Sequence, residues 1–455
     1  MKKWISIPLL LILTILLPLN TYAATFDDVK YIIEHDYVGE IDGNLDNAKT
    51  IDEMIEMLDP YSAYFTEEEY QSFINSIDNT TVGIGVVIQK HEKGILIMDV
   101  MENGSAFNHG IEDGDIITKV NGKSTVNMTT EQASSLIQGK EGTSVNITVL
   151  KGNGTSQTVS IIRKPFTVQN VTTQLLYGNV GYIQMASFTN NGANEVKAAL
   201  EKLKSQGATS FILDLQNNGG GYVSTAEELI GMFPNASHAY KLKEASGTTL
   251  YPSIYQATTF PINTRLLVNR YSASASEMTA AALRDQNAAL IYGEQTYGKG
   301  TMQGFYTLSE GRLKLTIAEF TGPKDTIVNK KGVTPHVQTT SNPIYQAHYD
   351  AIKEKLTKYK ELNSLKEVPT TKTFTLNFNR SVAADFNQKA VELVALGGQP
   401  VDIAIETKGT QLLITPKSPL ISGAEYMLII HPSIYDTNGQ QLKLGSYLHL
   451  TVNNQ

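Results

Sequence analysis

From about Val168 to Gln338, apolar strand patterns alternate with amphipathic helix patterns, which commits this stretch to an α/β layer fold. Val180 to Ser187 reads as a strand, Asn194 to Ser205 as a helix and Phe211 to Leu215 as a buried strand. The turn Asn217-Asn218-Gly219-Gly220-Gly221 and a helix through Phe233 come next. Strands over Arg265 to Val268 and Ala289 to Tyr292 flank a helix from Ser276 to Arg284, and Gly304 to Phe320 reads as a hairpin. A chain of 455 residues exceeds one ordinary core, so further units are expected on either side.

Before the α/β stretch the texture changes twice. Between Phe26 and Ile77 the period is helical: Val29, Ile32, Ile33 and Tyr37 share one face, and Ile51, Ile55 and Leu58 another. Asp59-Pro60 closes the second of these helices, and Thr66 to Glu69 has the form of a capping box opening a third. From Thr81 to Pro165 short strands and turns take over, with Val82 to Ile88 as one strand and Thr129 to Gln138 as a helix. After the α/β stretch, Ile344 to Leu362 reads as an amphipathic helix and Val368 to Thr371 as a polar linker. Lys372 to Asn453 reads as strands and turns alone.

Lys2 and Lys3, the apolar run Ile5 to Leu19 and the small polar stretch to Ala24 follow the order of a secretory signal peptide. Cleavage is expected after Ala23, with retention as a membrane anchor as the alternative. The chain has no cysteine, which excludes disulfides, thiolate nucleophiles and cysteine-based metal sites. Its eight histidines form no H-E-x-x-H pattern, so no metal site is expected. The net charge of -8, with no basic block, argues against nucleic acid as a partner.

Three clusters in the α/β stretch carry chemistry. Ser272-Ala273-Ser274-Ala275-Ser276-Glu277 lies between a strand and an alanine-rich helix, where a serine hydroxyl meets free N–H groups and the positive end of the helix dipole. In Tyr297-Gly298-Lys299-Gly300-Thr301-Met302-Gln303 a lysine sits between two glycines that let the backbone turn sharply. The Asn217 to Gly221 turn follows a buried strand, so its amides can face a developing oxyanion.

With these clusters in this order, the chain resembles the C-terminal processing peptidases, tail-specific serine proteases with a Ser-Lys dyad and a PDZ domain. The likeness covers roughly Tyr31 to Gln338. It also rests on Leu58-Asp59-Pro60-Tyr61-Ser62, Gly83-Ile84-Gly85-Val86, Gly114-Asp115-Ile116-Ile117, Asp214-Leu215 and Gly298-Lys299-Gly300. Leu413-Ile414-Thr415-Pro416, Gly423-Ala424-Glu425-Tyr426 and Asp436 to Gly439 resemble the Ig-like repeats of bacterial surface-layer proteins.

These resemblances imply a multidomain α+β chain. Its parts are a signal peptide (1–23), a helical N-terminal region (24–80), a PDZ domain (81–166) and a crotonase-like α/β peptidase core (167–340). A helical connector (341–371) and an Ig-like β-sandwich (372–455) complete it. They imply Ser274 as nucleophile, Lys299 as general base and Gln303 as the residue that positions the lysine. The oxyanion hole would comprise the amides of Ala275 and of the turn at Gly219 and Gly220. Lys299 must then be neutral when it takes the proton; its free pKa is about 10.4, so the site has to desolvate it and keep carboxylates away.

The PDZ loop Gly83, Ile84, Gly85 and Val86 would hold the carboxylate of a protein or peptide with a free C-terminus, with the Thr129 to Gln138 helix as the other wall. No cofactor is implied. A homodimer through the N-terminal helices and a cell-wall or surface contact through the Ig-like domain are implied as partners. Where the family has an arginine and a proline in the glycine turn, this chain has Gln216 and Gly219. Tyr271 and His336 stand where glycine and an acidic residue are common. Two other classes stay open: a catalytically silent PDZ and Ig-like scaffold, and a crotonase-like acyl-CoA enzyme.

Overall fold

The computed structural model describes residues 26–454 apart from 79, 127, 129, 168, 245 and 246. The leader read over residues 1–23 and Thr129 of the expected PDZ helix lie outside the described residues. Two compact units divide the chain: residues 26–170 with 303–317, and residues 171–302 with 318–454.

In the first unit, helices Phe26–Asp36, Ile51–Ile55 and Glu67–Ile77 form the N-terminal region. Val29 and Ile33 are buried from the first helix, as its period requires, and pack with Met54, Leu313 and Leu315. The capping box is present: Thr66 N–H donates to Glu69 at 2.8 Å and Glu69 N–H returns to Thr66 Oγ1 at 3.2 Å. The second helix stops at Ile55, short of Leu58. Next to it the strand Ala63–Phe65 pairs antiparallel with residues 312–314.

The rest of this unit is a sheet in the order Val86–His91, Gly94–Val100, Ile116–Val120, Ser144–Leu150, Ser156–Ile162, with the helix Thr130–Ile137 against it. The strand expected over Val82 to Ile88 is broken in two, Thr80–Gly83 and Val86–His91. Gly85 causes the break. Its φ is +78°, and a Cβ there would lie 2.3 Å from Gly104 Cα, so the backbone must leave the strand to pass Gly104.

In the second unit the central sheet runs Val171–Leu176, Val180–Met185, Ser210–Asp214, Arg265–Val268, Leu290–Gly293, Val337–Gln338. The first pair is antiparallel and the others are parallel. Side chains alternate between two cores. Phe211, Leu213, Leu266 and Val268 face the helices Gly192–Ser205, Val223–Ile230 and Ala275–Asp285, while Ile212 and Leu267 face the helix Pro343–Lys353. Burial on both sides explains why these strands read as continuous apolar runs.

The sequence reading passed over the strand Val171–Leu176 and the hairpin His238–Glu244 with Gly247–Pro252. It also ran the helix at Ile344 on to Leu362, whereas the helix ends at Lys353. Beyond it, Lys360–Glu361 and Leu365–Val368 pair with Ser446–Val452, so the expected linker is partly sheet.

The C-terminal sandwich has sheets of six and three strands around Phe374, Leu393, Leu412, Ile414, Leu428 and Leu450. It is bonded to the helix Pro343–Lys353 and to the central sheet. Buried His348 bonds Tyr177 C=O through Nε2 at 2.9 Å, and its Nδ1 accepts Gly397 N–H at 2.9 Å. Tyr177 N–H donates to Gly398 C=O at 3.0 Å. Tyr349, Ile352, Val394, Leu396, Met427 and Ile429 close an apolar seam around this junction.

Candidate active site

All three loops that carry the expected chemistry leave the C-terminal ends of parallel strands, where α/β sheets place their ligands. Ser274 occupies the N-cap of the helix Ala275–Asp285 with φ +56° and ψ -113°, a conformation a non-glycine residue adopts only under constraint. It is half-buried between buried Ala273 and Ala275.

The constraint comes from both sides. Ala273 N–H donates to Asn218 C=O at 3.0 Å, and Ser276 Oγ donates to the same carbonyl at 2.8 Å. Ser272 Oγ donates to Leu215 C=O at 2.8 Å. Asn217 and Asn269 bond reciprocally, backbone N–H to Oδ1 at 3.0 Å and Nδ2 to Oδ1 at 2.9 Å, which ties the glycine turn to the serine loop.

Glu277, one helical turn into the same helix, is fully buried. Its Oε1 accepts Thr296 Oγ1–H and Gly298 N–H, each at 2.6 Å. Its Oε2 accepts Lys299 N–H at 2.8 Å and Ser274 N–H at 3.0 Å. One carboxylate thereby joins the serine loop to the lysine loop. Burial pushes its pKa up from the usual carboxylate range, against the pull of the four donors. A carboxylate beside the lysine loop runs against the expectation that such groups are kept away. Its four lone-pair sites are, however, all taken by these donors. Sequence reasoning placed Glu277 in the serine cluster but gave it no role; its signal was a Glu at the N3 position of a helix, the second half of a capping box.

Lys299 is half-buried, and Gln303, in the first unit, donates from Nε2 to Thr316 Oγ1 at 3.2 Å. In the glycine turn Gly220 packs against Ser274: a Cβ there would fall 2.8 Å from Ser274 Cβ at a φ of +104°. Of the two turn amides expected in the oxyanion hole, the Gly220 N–H is engaged inside the turn by Asn218 Oδ1 at 2.9 Å. Gly219 is exposed, and a Cβ added to it would meet nothing within 4 Å.

The departures from the family pattern have local explanations. Gln216 donates Nε2–H to Asp214 at 3.0 Å and its backbone N–H at 2.8 Å. Burial pushes the Asp214 carboxyl up, against the hydrogen bonds it accepts from Gln216 and Tyr182. His336 Nδ1 accepts Ile291 N–H at 3.1 Å, a bond an acidic side chain could also accept.

In the first unit, the carbonyls of the Gly83 to Val86 loop are used inside the domain. Ile84 C=O accepts Ala106 N–H at 2.7 Å and Gly85 C=O accepts Met101 N–H at 3.0 Å. The loop borders a narrow hollow whose other walls are Ser134, Ile137, Gln138 and Phe166.

A PDZ domain, an α/β core with a constrained serine at a helix N-terminus and a lysine loop bound to it define a serine-type peptidase of the C-terminal processing class. Residues 179–339 match peptidase family S41, 73–150 match the PDZ domain and 356–449 match a bacterial Ig-like domain. The chain belongs to peptidase family S41. It is 31% identical over 392 residues to a "Probable CtpA-like serine protease" of Staphylococcus aureus (strain N315), covering 85% of this chain and 73% of that one. The protein of the same name from Staphylococcus haemolyticus is 32% identical over 352 residues, 76% and 67% of the two chains. Among solved structures, a photosystem II D1 C-terminal processing protease is 25% identical with a TM-score of 0.44, covering 72% of this chain and 95% of that one.

Proposed function

We propose that the protein is an exported endopeptidase that recognises free C-terminal tails and cuts through a Ser274–Lys299 dyad. The observation that carries this reading is the Glu277 carboxylate, which binds the backbone of both residues and fixes the two loops against each other. Neutral Lys299 takes the Ser274 proton as Oγ attacks the scissile carbonyl carbon. The lysine returns that proton to the leaving amine as the C–N bond breaks, leaving an acyl-enzyme on Ser274. Lys299 then takes a proton from water, which attacks the ester, and gives it to Ser274 Oγ as the acyl C–O bond breaks, releasing the acid and free Ser274. The oxyanion is held by the N–H groups of Ala275 and of the turn at Gly219 and Gly220, the last once Asn218 releases it.

The tail carboxylate docks on the N–H groups of Gly83 to Val86, whose carbonyls point into the domain. Export rests on Lys2, Lys3 and the apolar run to Leu19, with cleavage after Ala23. The dyad is tested by incubating residues 24–455, beside Ser274→Ala and Lys299→Ala versions, with an unfolded protein bearing a free apolar tail. Cleavage by the wild type alone is expected, and cleavage by either variant at the wild-type rate would remove the dyad.

A further inference from the structure

The two loops that carry Ser274 and Lys299 each carry an exposed tyrosine. Tyr271 precedes the serine by three residues and is 61% exposed; Tyr297 precedes the lysine by two and is 58% exposed. Their backbones are locked into the site. Tyr297 N–H donates to Ser272 C=O at 3.0 Å. Tyr271 N–H donates at 3.1 Å to Asn269 Oδ1, the oxygen that also holds Asn217 of the glycine turn.

Arg270 braces this rim. Its Nε and Nη2 bind the two oxygens of Glu294 at 3.1 and 3.0 Å, and its guanidinium carbon stands 5.9 Å from the centre of the Tyr271 ring. Glu294 offsets the arginine charge beside the Tyr271 ring, which leaves the ring face and hydroxyl to a partner. A lone exposed tyrosine needs no explanation. Two of them stand one on each reactive loop, within three residues of the expected nucleophile and of the expected base.

We infer that Tyr271 and Tyr297 are specificity-determining residues that receive a large apolar or aromatic side chain of the substrate near the scissile bond. This rests on the reading of Ser274 as nucleophile. Three residues of chain reach at most ~10 Å, which bounds the backbone of Tyr271 from Ser274. Tyr297 is hydrogen-bonded to Ser272, so both tyrosines lie within a few substrate residues of the bond cut at Ser274. Tyrosine rings contribute large contact area at low conformational cost, with a hydroxyl for the substrate backbone.

The test is digestion of β-casein, which has little folded structure, by wild type and by the Tyr271→Ala, Tyr297→Ala and Tyr271→Phe variants, with every cut bond read by mass spectrometry. Wild type is expected to enrich large apolar and aromatic residues two or three positions from its cuts. The enrichment should fall by about tenfold in each alanine variant, the scale of one apolar pocket contact, and survive in Tyr271→Phe. On a peptide taken from a preferred site, the alanine variants should lose more through KM than through kcat. Casein cut with no such enrichment, or enrichment kept by both alanine variants, would overturn the inference alone. Casein left intact by the wild type would overturn the peptidase reading and the inference with it.

Discussion

The Glu277 carboxylate and the Lys299 backbone are joined by a 2.8 Å hydrogen bond, and the same oxygen accepts the N–H of Ser274. Glu277→Gln replaces one acceptor oxygen with an NH2 group, which faces the N–H of Gly298 or those of Ser274 and Lys299, depending on how the amide is turned. Each buried donor left without a partner costs on the order of 1–3 kcal/mol. The variant should fold but lose about 10- to 100-fold in kcat, with KM changed much less. Steady-state kinetics on a tail peptide, with circular dichroism as the fold control, checks this; wild-type kcat would show that the carboxylate does not align the loops.

The glycine turn separates two residues that look alike in sequence. Gly220→Ala drives a Cβ into Ser274 at a left-handed φ, and activity should fall at least about 100-fold. Gly219→Ala adds a methyl to open space and should move stability by no more than about 0.5 kcal/mol. Gly219→Pro puts into the turn the residue the family carries there, and kcat should stay within about threefold of wild type, leaving the turn's oxyanion contact to Gly220. That contact requires Asn218 to release the Gly220 N–H, and a loss of roughly 100-fold in the proline variant would instead assign the oxyanion to the Gly219 N–H.

The junction with the Ig-like domain makes stability depend on pH. Burial, with Arg265 and Lys355 nearby, lowers the His348 pKa to about 4, below the value of about 6.5 for a free histidine. The neutral ring is the bonded form. Its contribution is therefore fully present above about pH 6.5 and is lost as the pH falls through about 4. Between pH 7.5 and 5 the loss should be about 2 kcal/mol. Denaturant unfolding at the two pH values reads this directly. His348→Ala should be about 3 kcal/mol less stable at pH 7.5 and lose this part of the pH dependence. Equal pH slopes in variant and wild type would contradict the assignment.

The PDZ loop predicts a dependence on the free carboxylate. Amidating the tail of a substrate should raise KM by about tenfold. Equal cleavage of free and amidated tails would remove tail recognition from the account.

How much of this was legible depends on where each signal lies. The fully buried strand Ser210–Asp214 announces itself as an apolar run, and the serine and lysine clusters stand out because small residues and glycines surround them. The hairpin at His238–Glu244 was passed over because Lys241, Lys243 and Glu244 interrupt its apolar positions, although Tyr240 and Leu242 keep period two. The helix overrun past Lys353 has a tertiary cause: Lys355 turns to bond Thr209 and Tyr359 bonds His431, contacts that no local pattern encodes. Glu277 was visible as a residue but not as a bridge, since Thr296 and Gly298 reach it from a loop some twenty residues away.

The central claim is that Ser274 is the nucleophile and Lys299 its base. A small fluorophosphonate reagent, followed by peptide mapping, tests it most directly. The account predicts one adduct, on Ser274, formed at least about 100-fold more slowly in Lys299→Ala. An adduct on Ser272 or Ser276, or labelling of Ser274 at the same rate without the lysine, would contradict it.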